Sequence, residues 1–230
     1  MRIFTQASIK QKLLLGIGSA VALLLLATAL LVVSHIKTQT EHQVNAEVTH
    51  TVAQEAASIA GFFAQYGQVA RTFLETPQFQ HWFANYPGRG AVLTNVANYQ
   101  QINQTFIGIS ERDPNILSAF FALDRSAEYF RESSRTGVDK EGPDAGDVSK
   151  GYFATQRPWY KLSLEQNKFF VGSPSADFTT GIVSAVVEGP VYLPDGTLLG
   201  VGGVDLHLDK LGEHVERIRY QDQGYPFLLD

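Results

Sequence analysis

The segment Gly151 to Tyr160, GYFATQRPWY, places Tyr152, Arg157, Trp159 and Tyr160 within ten residues. An arginine guanidinium is a planar fork of donors shaped for a carboxylate, and an indole N–H can only donate. Tyrosine adds a hydroxyl at the tip of a large apolar body. Brought to one place, these side chains would hold a small carboxylate against an aromatic wall. A purely architectural reading stands beside that one, with Arg157 capping local carbonyls and Trp159 filling the core. The segment by itself does not choose between them.

Asp205 adds a second charge. It interrupts an apolar run, Val201-Gly202-Gly203-Val204-Asp205-Leu206-His207-Leu208. Strand alternation puts Gly202, Val204, Leu206 and Leu208 on one face and Val201, Gly203, Asp205 and His207 on the other. The first set suits a core and the second a pocket, with Gly203 leaving room for close approach. A carboxylate there is costly to bury unless a cation or donor meets it. Pairing with Arg157, or a solvated face, would account for it equally well. A third element is Ser173-Pro174-Ser175-Ala176-Asp177. Taken alone, Asp177 reads as a turn acid capping the Thr179 or Thr180 amide.

The chain pattern supplies elements to carry these groups. Val44, Val48, Val52, Ile59, Phe63, Tyr66, Val69 and Phe73 keep helical spacing, so residues 34–76 read as one long helix that Pro77 ends. Its apolar stripe is read as core or dimer packing. Gln78 to Pro87 predicts a short aromatic helix, and Val92 to Glu111 another, broken by Asp113-Pro114. Ile116 to Leu123 and Glu128 to Arg131 predict a hairpin about Asp124-Arg125-Ser126. Thr136 to Lys150, polar and glycine-bearing, predicts a surface loop. Pro158 suits the first turn of a helix starting near Arg157. Residues 169–171, 182–188 and 198–208 predict strands, the last two joined through Pro194-Asp195-Gly196. Leu211 to Arg219 predicts an amphipathic helix, and Tyr225 to Leu229 the start of a strand. Helices feeding an antiparallel sheet make an α+β fold. The chain stops in mid-strand at Asp230, which predicts a fragment of a longer protein.

Leu13 to Val33 carries no charge. At about 1.5 Å per residue the run matches a hydrocarbon core of about 30 Å. Arg2, Lys10 and Lys12 precede it, which keeps the N-terminus cytoplasmic and sends the rest outward. A cleaved signal peptide is the alternative, with Ala27-Thr28-Ala29 as the cleavage site. The run continues through Leu30 to Val33 without a polar break, which favours an uncleaved anchor. A net charge of -5 gives no basic footprint for nucleic acid, and the absence of cysteine excludes disulfide and thiolate chemistry.

The order Tyr152, Arg157, Trp159-Tyr160, Pro174-x-x-Asp177-x-x-Thr180-Gly181, Val191-Tyr192-x-x-Asp195-Gly196, Gly200-Val201-x-Gly203-Val204-Asp205 resembles the double Cache sensor domains of bacterial chemoreceptors and related transducers. The resemblance covers most of residues 34–230. It implies an inner-membrane transducer with a PAS-like antiparallel-sheet module outside the membrane. The implied divisions are a cytoplasmic N-terminus at 1–12, a span at 13–33, the long helix at 34–76 and a membrane-distal module at 77–222. Residues 223–230 would open a membrane-proximal module. In the amino-acid-binding subfamily, it implies Tyr152, Arg157 and Trp159 for the ligand carboxylate and Asp177 and Asp205 for the ammonium, with Tyr160 beside them. Ser175 departs from that subfamily's tyrosine, leaving room for a different or larger ligand. A homodimer through the long helix and a cytoplasmic output module are further implications, with no cofactor.

Other functions are weighed against this one. An amine or carboxylate sensor feeding a histidine kinase or diguanylate cyclase is the nearest alternative. A cation site built from the two aspartates, with Arg157 structural, would select amines lacking a carboxylate. A hydrolase using Asp177 and Asp205 lacks support: there is no HExxH, no G-x-S-x-G and no thiol, and Gly200 to Gly203 fails the dinucleotide pattern. His81, His207 and His214 do not form a metal-ligand cluster, although His207 shares the Asp205 face and would lend it pH sensitivity.

Overall fold

The computed structural model describes residues 8–133, 135–144, 147–176, 181–209 and 212, and the chain divides into two compact units, residues 1–55 and 56–230. Helix α1 (Ile9–Leu74) supplies the first unit and opens the second. A reciprocal cap starts it: the Gln11 N–H donates to Ser8 Oγ and the Ser8 N–H to Gln11 Oε1. Its early part is long and apolar enough to cross a membrane. The side chains of Leu13, Leu24 and Leu31 lie exposed, and the hydroxyls of Ser19, Thr28 and Ser34 donate to carbonyls of their own helix. No polar group in that stretch needs water, as an apolar surrounding requires.

In the second unit, the end of α1 buries Tyr66, Ala70, Phe73 and Leu74. Thr76 then caps α2 (Pro77–Ala84) by accepting from the Phe79 N–H. Helix α3 (Tyr99–Arg112) follows a turn of 3-10 helix at Leu93–Asn95. The expected single helix from Val92 is therefore broken. Asn98 takes a left-handed φ of 60°, a conformation asparagine tolerates, and restarts the helix at Tyr99.

The strands are β1 (Ile116–Leu123), β2 (Tyr129–Ser133), β3 (Val138–Glu141), β4 (Pro143–Asp144) and β5 (Asp147–Gly151). After α4 (Pro158–Gln166) come β6 (Phe170–Val171), β7 (Ser175–Ala176), β8 (Val183–Tyr192) and β9 (Leu198–His207). The main sheet runs β3-β2-β1-β9-β8-β6, with β7 also on β8, and every pairing is antiparallel. A separate ribbon joins β4 to β5. The loop expected over Thr136 to Lys150 is thus three short strands. Their polar sequence reflects a sheet edge and an exposed ribbon, where no apolar face has to be buried. The amphipathic helix expected over Leu211 to Arg219 and the strand expected over Tyr225 to Leu229 lie outside the described residues, apart from the helical Gly212.

Alternation gives the sheet two unlike faces. One packs Phe121, Phe130, Val187, Val204 and Leu206 against the three helices. Edge-to-face rings there, such as Phe79 on Phe121 at 5.2 Å, add about 0.5–1.5 kcal/mol each beyond area burial. The other face carries three cross-strand rows: Tyr129-Ala122-Val201-Pro190, Arg131-Phe120-Gly203-Glu188-Phe170 and Ser133-Ser118-Asp205-Val186. Asp205 and Val201 fall on this face and Val204 and Leu206 on the helix face, as the alternation predicts.

Gly203 sets how closely β8 and β9 approach. A Cβ there would lie 2.1 Å from the Val187 carbonyl oxygen, within backbone that cannot give way. Gly203→Ala should therefore lower stability by about 1–3 kcal/mol in urea unfolding. Gly108→Ala, at a helical position with nothing within 4 Å, should instead raise it by about 0.5–1 kcal/mol.

Candidate ligand-binding site

Helix α4 lies over the second face. Pro158 occupies its first turn, and Arg157 is its N-terminal cap residue in extended backbone (φ -78°, ψ 147°). Tyr160 is almost completely buried and donates its hydroxyl to Asp124 at 2.8 Å. That bond ties the helix to the β1–β2 turn while the ring packs on Ala122 and Val201. Tyr160 thus braces the cluster from behind.

Tyr152, Arg157 and Trp159 come together. The Arg157 guanidinium carbon sits 4.4 Å from the centre of the Tyr152 ring, a cation–π contact. Burial pushes the Tyr152 hydroxyl's pKa up, while the neighbouring Trp159 and the charge of Arg157 pull the other way. Trp159 meets Tyr129 at 5.8 Å and Phe120 at 5.9 Å, and Tyr129 meets Tyr152 at 5.9 Å. The result is an aromatic wall bearing a cation.

Asp205 lies on the same face as that wall. Ser118, its partner across the β1–β9 ladder, donates its hydroxyl to Asp205 Oδ2. Phe120 stands two residues along β1 from Ser118, about 7 Å away at strand spacing. The acid and the aromatic wall are neighbours on one surface. Ser175 lies in β7 opposite Ser184 of β8, and Asp177 lies outside the described residues. His207 shares the Asp205 face, opposite Ser184. Among the described residues no group of three or more His, Cys, Asp or Glu is placed to hold a metal.

Further residues of this face that the motif does not single out include Ser118, Phe120, Tyr129, Arg131 and Glu188. The signal that marks Asp205, an acid inside an apolar strand, marks Glu188 equally well. Glu188 pairs with Gly203, and the glycine leaves no side chain between Glu188 and Phe120. Its side chain is buried and its pKa is pushed up to about 8 by that burial. The nearby Ser163 hydroxyl of α4 opposes the shift, and the negative charge of Asp205 adds to it.

The sequence and the fold have known relatives. No family model matches the chain. It is 26% identical over 160 residues to the methyl-accepting chemotaxis protein McpA of Pseudomonas putida, a match covering 68% of this chain and 23% of McpA. The ligand-binding domain of the Campylobacter jejuni chemoreceptor Tlp3, solved with 4-methylisoleucine, superposes with a TM-score of 0.53 at 15% identity, covering 74% of this chain and 61% of that one. The domain of the Pseudomonas aeruginosa amino-acid chemoreceptor PctC, solved with GABA, gives 0.47 at 21% identity, over 74% and 65%. The fold is thus a Cache-like α+β fold, and the chain is similar to a chemotaxis transducer over part of its length.

The Glu188 geometry makes stability depend on pH. A carboxyl held near 8 when folded, against about 4.3 in an unfolded chain, binds its proton only in the folded state across that window. Stability should therefore fall as pH rises from about 5 to 8, by up to about 1.4 kcal/mol per unit from this group. Glu188→Gln should remove that share of the slope when urea unfolding is compared at the two ends. An unchanged slope would mean that Glu188 is already ionised in the fold.

Proposed function

We propose that this chain is the extracytoplasmic ligand-sensing region of a membrane-anchored signal transducer of the chemoreceptor kind, and that its ligand is a small amino-acid-like molecule. The observation that carries the reading is the Arg157 guanidinium set over the Tyr152 ring beside the Tyr129 and Trp159 rings, on the sheet face that also holds Asp205. A zwitterion presents opposite charges a few ångströms apart, and a guanidinium and a carboxylate on one surface match it. Asp177 completes the ammonium end in this proposal, and Ser175 takes the place of an aromatic side-wall. The Tlp3 complex with 4-methylisoleucine supports the ligand class through a shared fold.

The arrangement in the cell follows the same reading. Residues 13–33 cross the inner membrane, residues 1–12 stay in the cytoplasm and the sensing module at 77–222 faces the periplasm. The long helix pairs two copies, and a cytoplasmic module beyond residues 223–230 passes the signal on. The domain is a sensor and carries out no reaction. A ligand can shift such a receptor only through its differential affinity for two states.

Calorimetric titration with amino acids, with amines lacking a carboxylate and with carboxylates lacking an amine tests the proposal. Amino acids should bind and the other two classes should not. Arg157→Ala should weaken binding at least about tenfold, since a charge-assisted bond is worth about 1.5–3 kcal/mol. Binding of plain amines by both forms would favour a cation site, and turnover of any of these compounds would revive an enzymatic reading.

A further inference from the structure

Arg89 lies between α2 and α3, outside the site, yet its guanidinium reaches the segment that ends at Tyr152. Nε donates to the Val148 carbonyl at 2.7 Å, Nη2 to Lys150 at 2.7 Å and Nη1 to Tyr152 at 3.0 Å. The guanidinium carbon also sits 3.8 Å from the centre of the Phe153 ring. The three acceptors belong to alternate residues, whose carbonyls share one side of an extended strand and would be about 6.6–6.8 Å apart. Guanidinium nitrogens radiate from a single carbon, so the strand must curl around them to be held by all three.

The surrounding backbone is built for that curl. Gly151 has a φ of +96°, and a Cβ there would lie 2.2 Å from the Gly142 carbonyl oxygen. That same oxygen accepts from the Tyr152 N–H at 2.8 Å. The main chain of Tyr152 is thus gripped on both sides, by Gly142 at its N–H and by Arg89 at its carbonyl. The loop bearing Arg89 is itself fixed to the sheet. Lys140 Nζ donates to the Ala91 carbonyl, to Tyr86 Oη at 2.8 Å and to the fully buried Glu128 at 2.7 Å. The Gly90 N–H also approaches Glu128 Oε1, at 3.4 Å.

We propose that Arg89 is a positioning residue for the ligand site: its three-carbonyl clasp on residues 148–152 fixes the backbone from which Tyr152 meets Arg157 and Trp159. The inference rests on the reading of that face as a ligand site and deepens it. It assigns part of the affinity to a side chain that touches no ligand. Lysine would keep the charge at this position, but a point-like ammonium lacks the planar fork that engages three separated acceptors.

The test uses the full chain in detergent micelles, as wild type, Arg89→Ala and Arg89→Lys. Amide hydrogen exchange is read for residues 147–153 and for β1, β8 and β9, and L-isoleucine serves as the calorimetric probe. In Arg89→Ala, protection over 147–153 should fall at least tenfold while the three central strands keep theirs. Isoleucine affinity should fall at least tenfold, and Arg89→Lys should restore neither. Unchanged exchange over 147–153 would overturn the proposal, as would loosening of the whole sheet or rescue by lysine. The exchange measurement needs no ligand. The expected exchange pattern with no isoleucine binding by wild type would support the clasp and count against the amino-acid reading.

Discussion

The antiparallel pairing of β1, β9 and β8 is the constraint on which everything else in the second unit depends. Because side chains alternate along each strand, the register decides at once which residues enter the helix-packed core and which face α4. Ser118 opposite Asp205, and Glu188 opposite Gly203, are consequences of that one alignment. A slip of a single residue would carry Asp205 and Glu188 into the phenylalanine core and expose Val204 and Val187. The penalty for such a burial of unpaired acids is what makes the register unambiguous.

The two faces then divide the work. The helix side is dominated by aromatic rings packed edge to face, and that packing provides a rigid support for the opposite surface. On the α4 side the interior is smaller: Ala122, Val201, Ala154 and Tyr160 form a minor core that seats the helix. Beside this small core Phe120, Tyr129 and Trp159 all meet one another, at 5.5–5.9 Å between ring centres. They form the wall that lies beside Asp205. Tyr160, tied to Asp124, holds α4 in place.

Much of this was legible in the sequence because it followed from periodicity. The alternation around Asp205, the hairpin of β1 and β2 and the start of α4 at Pro158 are local patterns with a single physical solution. The edge strands between Thr136 and Lys150 were not legible, because an exposed edge needs no apolar signature. Neither was the break at Asn98, where a left-handed residue interrupts a helical spacing that continues across it. The convergence of Tyr152, Arg157 and Trp159 could be proposed from residue types, but their meeting depends on Gly151 and on the course of β5. Phe120 and Ser118 were hidden inside an apolar run, and only the pairing partner of each strand reveals which face they occupy.

The central claim is that one sheet face presents a guanidinium and a carboxylate to the two ends of the same small molecule. A crystal structure of the second unit with a bound α-amino acid tests it most directly. The account predicts the ligand carboxylate within hydrogen-bond distance of Arg157 and Trp159, and its ammonium against Asp205 with the ligand lying over Phe120. A ligand seated elsewhere on the unit, or one that leaves Arg157 and Asp205 uncontacted on this face, would contradict it.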